Sequence, residues 1–406
     1  MTDLATGPIF TDEYWREPFT VLAEVREQAP VREVELPDGG TTWLVTRYAD
    51  ARSVMADPRF VKDFRNTLPP EQRANVPGIP SPTGHMMLLN DPPVHTRLRK
   101  LVVKAFTVRR VAALRPQVES MAAALLAALP TDAPVDLVAG YAVPLPTAVI
   151  CELLGVPVDD RDAFGAWSST LIDEGSEEEK HLANTSLAAY LGELVERKRA
   201  EPDEALISAL IEVSEEGDQL STEEIVAMAM LLLIAGHETT ATLITTAVEV
   251  MLRDPALRDR LAASGSDELR AAIEEFLRWG SPIAQAPLRF AAEDVDFDGV
   301  VVPRGAMLMV SLAAANHDPA RFEQPDDYVE LRDTTGHLAF GHGLHFCLGA
   351  SLARLEAEVA LRTLLDRFPA LAAGSELPVE RRRSVLVNAW KRLPVVLDPE
   401  ALPESA

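Results

Sequence analysis

The chain has 406 residues, 47% of them hydrophobic and 25% charged, so it can bury a large core. Its formal net charge of −25, from 38 Lys and Arg against 63 Asp and Glu, disfavours a nucleic-acid partner. The opening residues, Met1 to Trp15, lack the basic and apolar segments of a secretory signal, and two cysteines do not make a disulfide framework. The longest apolar run, Ile225 to Gly236, is far short of the roughly 18 residues that suggest a membrane span. We therefore expect a cytoplasmic protein without a membrane partner.

The first half of the chain predicts a hairpin followed by helices. Residues 31–48 read as strand, Asp-Gly-Gly turn and strand, and a short helix then stops at Pro58. Residues 66–93 hold seven prolines and little periodicity, which indicates a long loop, and such loops are usually functional or mobile. The next helix puts His95 and Arg99, four residues apart, on one face. Further helices are predicted over 108–129, through Cys151, and over 163–173, 177–200 and 204–215.

The strongest predicted helix covers 221–254. Ser221 and Glu224 have the spacing of a capping box, and the middle of the helix is apolar all round, so we expect it to be buried. The polar residues 236–240 interrupt that apolar stretch and must be paired or line a cavity. A zinc-protease motif is excluded because the second His is missing. A kinked helix whose Thr hydroxyls bond to its own carbonyls is an alternative.

The next helix contains Glu275 and Arg278, three residues apart, which by itself is compatible with an ordinary helical salt bridge. The chain from Leu288 alternates and turns like a small antiparallel sheet, and the tail from Arg383 predicts further strands.

Cys347 lies in a glycine-rich stretch, residues 340–349, directly before a predicted helix that ends at Pro369. A thiol at a helix start becomes a thiolate more easily, and a thiolate can bind a metal. A buried cysteine is one alternative. A zinc site with His342 and His345 is another, although no second Cys/His cluster is evident.

The pattern Phe-Gly-x-Gly-x-His-x-Cys-x-Gly at 340–349 resembles the haem-binding loop of the cytochrome P-450 family, the haem-thiolate monooxygenases. The resemblance implies that Cys347 is the axial ligand of haem b and that Phe340 covers the sulfur side. It implies propionate contacts for His95, Arg99, Arg289 and His345. It places Gly341, Gly349, Ala235 and Gly236 against the cofactor as well.

Two further motifs carry the resemblance. Ala-Gly-His-Glu-Thr-Thr at 235–240 is similar to the oxygen-binding groove, which makes Glu238 and Thr239 the acid–alcohol pair that delivers protons. Glu275 and Arg278 match the pair that anchors the cysteine loop. The family's second Arg is replaced by Asp327, and Arg321 or Arg332 is a candidate substitute, while His317 stands where Arg is usual. The implied substrate pocket comprises Met86, Leu88, Ala235, Ile283, Ala284, Leu386 and Val387.

The resemblance implies one domain over 1–406, mainly α with minor antiparallel β, with haem between a long central helix and the cysteine loop. It implies a monooxygenase that inserts one atom of O₂ into a C–H bond of a macrolide, a steroid or another hydrophobic secondary metabolite. No flavin, nicotinamide or iron–sulfur motif is present, so electrons would come from NAD(P)H through a separate ferredoxin and ferredoxin reductase, with the protein a monomer. A peroxide-driven peroxygenase, an aryl-coupling enzyme and a non-catalytic haem sensor are the alternatives. Glu238 and Thr239 argue against the first and the last.

Overall fold

The computed structural model describes residues 7–172, 176–215, 217–375, 377 and 379–401, and most of these lie in helices. The helices are α1 (Asp12–Arg16), α2 (Pro18–Gln28), α3 (Tyr48–Ala56), α4 (Pro70–Arg73), α5 (Val94–Ala105), α6 (Val108–Ala113), α7 (Arg115–Ala128), α8 (Pro144–Leu154), α9 (Arg161–Ile172), α10 (Glu177–Ala200), α11 (Leu206–Glu212), α12 (Thr222–Gly236), α13 (Glu238–Arg253), α14 (Pro255–Ala263), α15 (Ser266–Gly280), α16 (Leu312–Asn316) and α17 (Ala350–Arg367).

The strands are short. They are β1 (Gly7–Pro8), β2 (Val31–Glu35), β3 (Thr41–Val45), β4 (Phe60–Val61), β5 (Val135–Asp136), β6 (Ser214–Glu215), β7 (Asp218–Gln219), β8 (Gln285–Ala291), β9 (Val295–Phe297), β10 (Val300–Val302), β11 (Met307–Ser311), β12 (Ala372–Ala373) and β13 (Pro394–Val396). A mainly helical fold with minor β structure is therefore confirmed.

The largest sheet joins the two halves of the chain, in the order β1-β2-β3-β11-β8-β4. The predicted hairpin is present, with Val31 opposite Val45 in an antiparallel pair. β11 pairs parallel with β3 and antiparallel with β8, so the sheet is mixed. β4 pairs with β8 through Val61 and Phe290, which sets Lys62 and Arg289 side by side. Distant segments are thus brought together at one sheet edge.

The largest hydrophobic cluster runs from Met86 to Leu397 and has the helical pair α12 and α13 at its centre. α12 packs on α8 and α10, while α13 packs on α15 and α17. The run Thr222–Arg253 is apolar and long enough to cross a membrane, yet 72% of its apolar window is buried inside the protein. Such burial is typical of the core helix of a soluble protein, as the sequence predicts for this segment.

The single helix predicted over 221–254 is in fact two helices, because the regular structure stops at His237 between Gly236 and Glu238. His237 has φ −96° and ψ −45°, and its Nδ1 donates to the Leu233 carbonyl at 2.8 Å. Glycine weakens a helix, and side chains that hydrogen-bond to backbone carbonyls compete with the backbone hydrogen bonds of the helix. The break therefore falls inside the polar segment that the sequence singles out.

Smaller differences affect the other elements. The helix predicted over 204–215 is shorter, since α11 covers Leu206–Glu212 and a strand follows it. Of the tail from Arg383, only Pro394–Val396 forms a strand among the described residues. The predicted helix 163–173 is α9, and Asp173 lies outside the described residues.

Candidate active site

Cys347 lies in a tight loop in front of α17. Its N–H donates to the Phe340 carbonyl at 2.9 Å. Gly341 and Gly343 both have φ +71°, and a Cβ on Gly343 would lie 2.8 Å from the carbonyl oxygen of Met55 on α3. Only glycine fits there, so the glycines close the loop and let it pack against α3.

The surroundings of the Cys347 thiol act on its pKa in opposite directions. Burial raises its pKa, whereas the Gly349 N–H and the charges of Arg99 and Arg354 act in the opposite direction. The helix start therefore does not by itself produce a thiolate, and a cation bound at the sulfur would be needed to remove the proton. Among the described residues, no group of three His, Cys, Asp or Glu side chains could hold a metal ion, so the zinc alternative lacks ligands.

Cys151 has a different environment. It is fully buried in α8, where burial raises the pKa of its thiol to about 11. Such a cysteine behaves as a small apolar residue. The prediction that Cys151 belongs to the core is confirmed.

Basic side chains from separate segments meet beside the cysteine loop. His95 comes from α5, and its ring lies 4.3 Å from that of His345, between centroids. Arg289 comes from β8 and is 3% exposed, and Lys62 follows β4 and is 6% exposed. Burial, followed by the charge of Arg99, lowers the pKa of His95 to about 4. Burial, reinforced by the charges of Lys62, Arg289 and other neighbours, lowers the pKa of His345 to about 2.

The cluster is short of anions. Neither ring nitrogen of His95 has a hydrogen-bond partner among the described residues. Lys62 Nζ donates to the carbonyls of Pro287 and Leu288 at 2.6 and 2.9 Å. Asp91 lies nearby, but its carboxylate already accepts from the N–H groups of Lys62 and Asp63 and from the side chain of Asn66. Burial disfavours the charged forms of these groups unless an anion pairs with them, and the two carboxylates of haem b match this requirement.

The central helices present two different faces. Ala235 is exposed and Thr239 is half-buried, and these residues, four apart, share one face. Thr239 Oγ1 donates to the Ala235 carbonyl at 3.0 Å, as the kinked-helix alternative predicted. A Cβ on Gly236 would lie 3.4 Å from Ile150 of α8, and the contact of Gly236 with the cofactor stays a prediction.

Glu238 lies on the second face. Its Oε1 accepts from Arg382 Nη1 at 2.6 Å. Both residues line a cavity of about 430 Å³, together with Thr242, Thr245 and Lys391. Glu238 thus borders a polar cavity at the start of α13, directly before Thr239.

The anchoring pair is complete and buried. Arg278 donates from Nε and Nη2 to the two oxygens of Glu275, both at 2.7 Å, and both side chains are at most 1% exposed. Arg332 supplies the third member through Nε to Glu275 Oε1 at 3.1 Å. Asp327 contributes its backbone carbonyl, which accepts from Arg278 at 3.2 Å. Of the two candidates, Arg321 and Arg332, it is therefore Arg332 that replaces the family's second Arg.

His317, which stands where the family usually has Arg, binds the end of α15 and Asp326. Its Nε2 donates to the Trp279 carbonyl at 2.8 Å, and its Nδ1 lies 2.9 Å from Asp326 Oδ1. Its ring also stacks on Phe19, with centroids 4.0 Å apart. The segment before the cysteine loop is therefore tied to α15 by side-chain and backbone bonds.

The predicted pocket residues divide into two groups. The turns containing Met86 and Leu88 pack against α12. Ile283 bridges Val387, and Leu386 is 49% exposed beside them. Ile283 and Val387 are therefore neighbours, and a common pocket with Met86 and Leu88 stays a prediction.

Ala284 requires a correction. It is 5% exposed and packs in a cluster with Tyr14 and Leu22, so its side chain faces the N-terminal helices. Neighbouring residues of an extended chain point to opposite sides, which explains why Ile283 and Ala284 separate.

Sequence reasoning missed several residues of the site. Lys62 joins the basic cluster only because β4 pairs with β8, and Arg382 reaches Glu238 from 144 positions away. A third group, Glu274, His337 and Arg354, forms a network beside the cysteine loop. The sequence offers one signal for this network, which is the pair of adjacent acidic residues at 274 and 275. Adjacent helix positions point in different directions, so these two carboxylates must bind different partners.

A buried basic cluster next to a cysteine loop is what a haem-thiolate enzyme requires. The chain belongs to the cytochrome P450 family: the family described as Cytochrome P450 matches residues 167–264 and 268–392. It is therefore an enzyme of the P450 monooxygenase type, and its cofactor is haem b.

Known relatives cover nearly the whole chain. A vitamin D(3) 25-hydroxylase of Pseudonocardia autotrophica is 51% identical over 395 residues, which is 97% of each chain. A 6-deoxyerythronolide B hydroxylase of Saccharopolyspora erythraea is 42% identical over 401 residues, covering 96% of this chain and 98% of the relative. The solved structure of the ligand-free P450 monooxygenase TamI has a TM-score of 0.88 and 39% identity, covering 97% of this chain and 94% of that one.

The anchoring network generates a test that compares the two candidate arginines. Arg332→Met leaves a buried Glu275 oxygen without its third donor, so we expect the free energy of unfolding to fall by about 1.5–3 kcal/mol. Arg321→Met is the matched control, because Arg321 donates to the Thr335 carbonyl and packs over Phe322 but does not contact the network. Urea unfolding of the haem-loaded proteins measures both. A larger loss in Arg321→Met would contradict the assignment.

Proposed function

We propose that this enzyme inserts one oxygen atom of O₂ into a C–H bond of a hydrophobic secondary metabolite, with electrons from NAD(P)H through a separate ferredoxin and ferredoxin reductase. Bound haem supplies the activation of O₂ in this chemistry, and the protein orients substrate and moves protons. Cys347 is the axial ligand in this proposal. The chain 1–406 acts as one catalytic domain, monomeric and cytoplasmic. The continuity of the main hydrophobic cluster from Met86 to Leu397 supports a single unit.

The placement of Glu238 and Thr239 carries the proposal. A proton delivered to a buried site needs a titratable group that reaches both solvent and the site. Glu238 borders the polar cavity with Arg382, and Thr239 turns its hydroxyl along the helix break on the neighbouring face. Glu238 thus takes protons from the cavity side, and Thr239 passes them toward the haem side. A peroxide-driven enzyme or a haem sensor has no use for this pair.

The basic cluster supports the orientation of the haem. His95, Arg99, Arg289 and His345, with Lys62 as an addition, would hold its two carboxylates through salt bridges and hydrogen bonds. Arg99 Nη2 also donates to the Phe346 carbonyl at 2.7 Å, which ties α5 to the cysteine loop. One residue therefore links the carboxylate side of the haem to its sulfur side.

The substrate class follows from the relatives and from the walls of the pocket. The names of two relatives state that they hydroxylate vitamin D(3) and 6-deoxyerythronolide B. Met86, Leu88, Ile283, Leu386 and Val387 are apolar, as small-molecule sites usually are. Steroid-like and macrolide ligands are therefore the first compounds to screen, by the shift they cause in the haem Soret band.

The surface around the cysteine loop supports docking of an acidic electron donor. Leu344 and Phe346 are each 41% exposed, and Val103 on α5 is 46% exposed. Lys100 and Lys104 are exposed on the same helix. An apolar centre with a charged rim is typical of a transient protein interface.

Seven basic residues lie between Pro92 and Val118: Arg97, Arg99, Lys100, Lys104, Arg109, Arg110 and Arg115. Arg97 binds Asp218 and Glu224, Arg99 binds the Phe346 carbonyl, Arg110 binds the Glu204 carbonyl and Arg115 binds Glu358. The docking test concentrates on Lys100 and Lys104 because both are exposed on α5, beside the cysteine loop.

The proposed role of Glu238 and Thr239 in proton delivery is tested with variants of two adjacent threonines. Thr239→Ala should consume NADPH and O₂ but release mostly peroxide, with product per NADPH several-fold lower and ligand affinity nearly unchanged. Thr240→Ala is the matched control, because Thr240 Oγ1 makes the same type of bond, to the Gly236 carbonyl at 3.2 Å, but is buried. Equal coupling in the Thr239→Ala and wild-type enzymes, measured with a ligand found in the Soret screen, would contradict the proposed role.

The docking surface is tested by charge reversal. Lys100→Glu with Lys104→Glu should slow reduction by ferredoxin and flatten its dependence on ionic strength, because rim charges mainly set the association rate. Reduction by dithionite should change far less. Arg16→Glu with Arg367→Glu is the control of equal charge change, with Arg16 on α1 and Arg367 at the far end of α17. If only the control pair slows the ferredoxin reaction, the donor docks elsewhere.

A further inference from the structure

A second ion network lies on the sulfur side of the cysteine loop, and the proposed chemistry does not use it. Arg354 of α17 donates from Nε to Glu274 Oε1 at 2.5 Å and from Nη2 to Glu274 Oε2 at 2.8 Å. His337 Nε2 lies 3.0 Å from Glu274 Oε2. These three side chains connect α15, the segment before the loop and the helix after it.

The network touches the loop at Phe340. The guanidinium carbon of Arg354 lies 4.5 Å from the centroid of the Phe340 ring, and the ring of His337 lies 6.0 Å from it. The Phe340 carbonyl in turn accepts the N–H of Cys347. Arg354 and its partner Glu274 are therefore held beside the loop residue whose carbonyl accepts the Cys347 N–H.

The partners of Glu274 favour its charged form. Although burial favours the neutral acid, hydrogen bonds from Arg354 and His337 lower the pKa of Glu274 to about 2. The Arg354 side chain is 39% exposed and that of Glu274 is 27% exposed. Solvent therefore weakens their effects without removing them.

We propose that Glu274 and Arg354 tune the reduction potential of the haem in opposite directions, Arg354 raising it and Glu274 lowering it, with His337 holding the Glu274 carboxylate in place. Reduction adds one negative charge at the haem, which a nearby cation stabilises and a nearby anion destabilises. The inference rests on Cys347 as the haem ligand. All three are positioning residues, since they act through the charges that they hold beside the cysteine loop.

The signs of the shifts in reduction potential distinguish this electrostatic role from a structural one. Arg354→Met keeps an apolar stem over Phe340 and removes the positive charge, so the potential should fall. Glu274→Gln keeps the shape and removes the negative charge, so the potential should rise. We expect each change to alter the equilibrium between ferric and ferrous protein by about threefold, or about 28 mV for one electron. The double variant should return close to the wild-type potential.

The measurement is a spectroelectrochemical titration of the substrate-free enzyme without partner proteins. Arg354→Lys keeps the charge and should rescue the potential. The matched control is Arg270→Met and Glu358→Gln, an ion pair at 3.0 Å between the same two helices and one turn further along α17. Neither control variant should move the potential appreciably.

Shifts of the same sign in Arg354→Met and Glu274→Gln would overturn the proposal, because a purely mechanical clamp loosens the loop in both. No shift in either variant would overturn it as well. If Arg354→Met does not retain haem, Glu274→Gln decides alone, and a fall or no change contradicts the inference. Failure of the ligand assignment is separate, since it would appear as a normal carbon monoxide spectrum in Cys347→Ser.

Discussion

The burial of several basic groups in one place is the constraint on which this structure depends. Lys62, His95, Arg289 and His345 lie together beside the cysteine loop, where burial disfavours their charged forms. An ion removed from water costs several kcal/mol unless it is paired, and the local carboxylate, Asp91, is already engaged. Haem b carries two carboxylates, which are the anionic partners that this cluster lacks. The basic cluster is therefore suited to a dicarboxylate cofactor.

A second compromise runs through the central helix. An uninterrupted helix would be more stable than α12 and α13 with a break at His237. The break leaves Ala235 and Thr239 on one face and directs Glu238 to a polar cavity and Arg382. Local helix stability is thus exchanged for the placement of these side chains on two different faces. The surrounding contacts with α8, α10, α15 and α17 hold both halves in position.

Features set by local pattern could be predicted from the sequence. The hairpin at 31–48 and the bounds of α10 depend on turn residues and helix caps. The motifs around Cys347, Glu238 and Glu275 were equally visible, since each is continuous in the chain.

Features set by distant contacts could not be predicted. Lys62 joins the basic cluster through a strand pairing with β8, and Arg382 reaches the central helix from the tail. The choice between Arg321 and Arg332 depends on which guanidinium reaches a buried carboxylate, because both residues are basic and close in sequence. Ala284 faces the N-terminal helices, and no sequence pattern near residue 284 predicts this contact.

The central claim is that Cys347 binds the haem iron and that the buried Cys151 does not. The most direct measurement is the spectrum of the reduced carbon monoxide complex for Cys347→Ser and Cys151→Ser, prepared side by side. The account predicts that Cys347→Ser loses the red-shifted Soret band and that Cys151→Ser keeps it. A red-shifted band that survives in Cys347→Ser and disappears in Cys151→Ser would contradict the account.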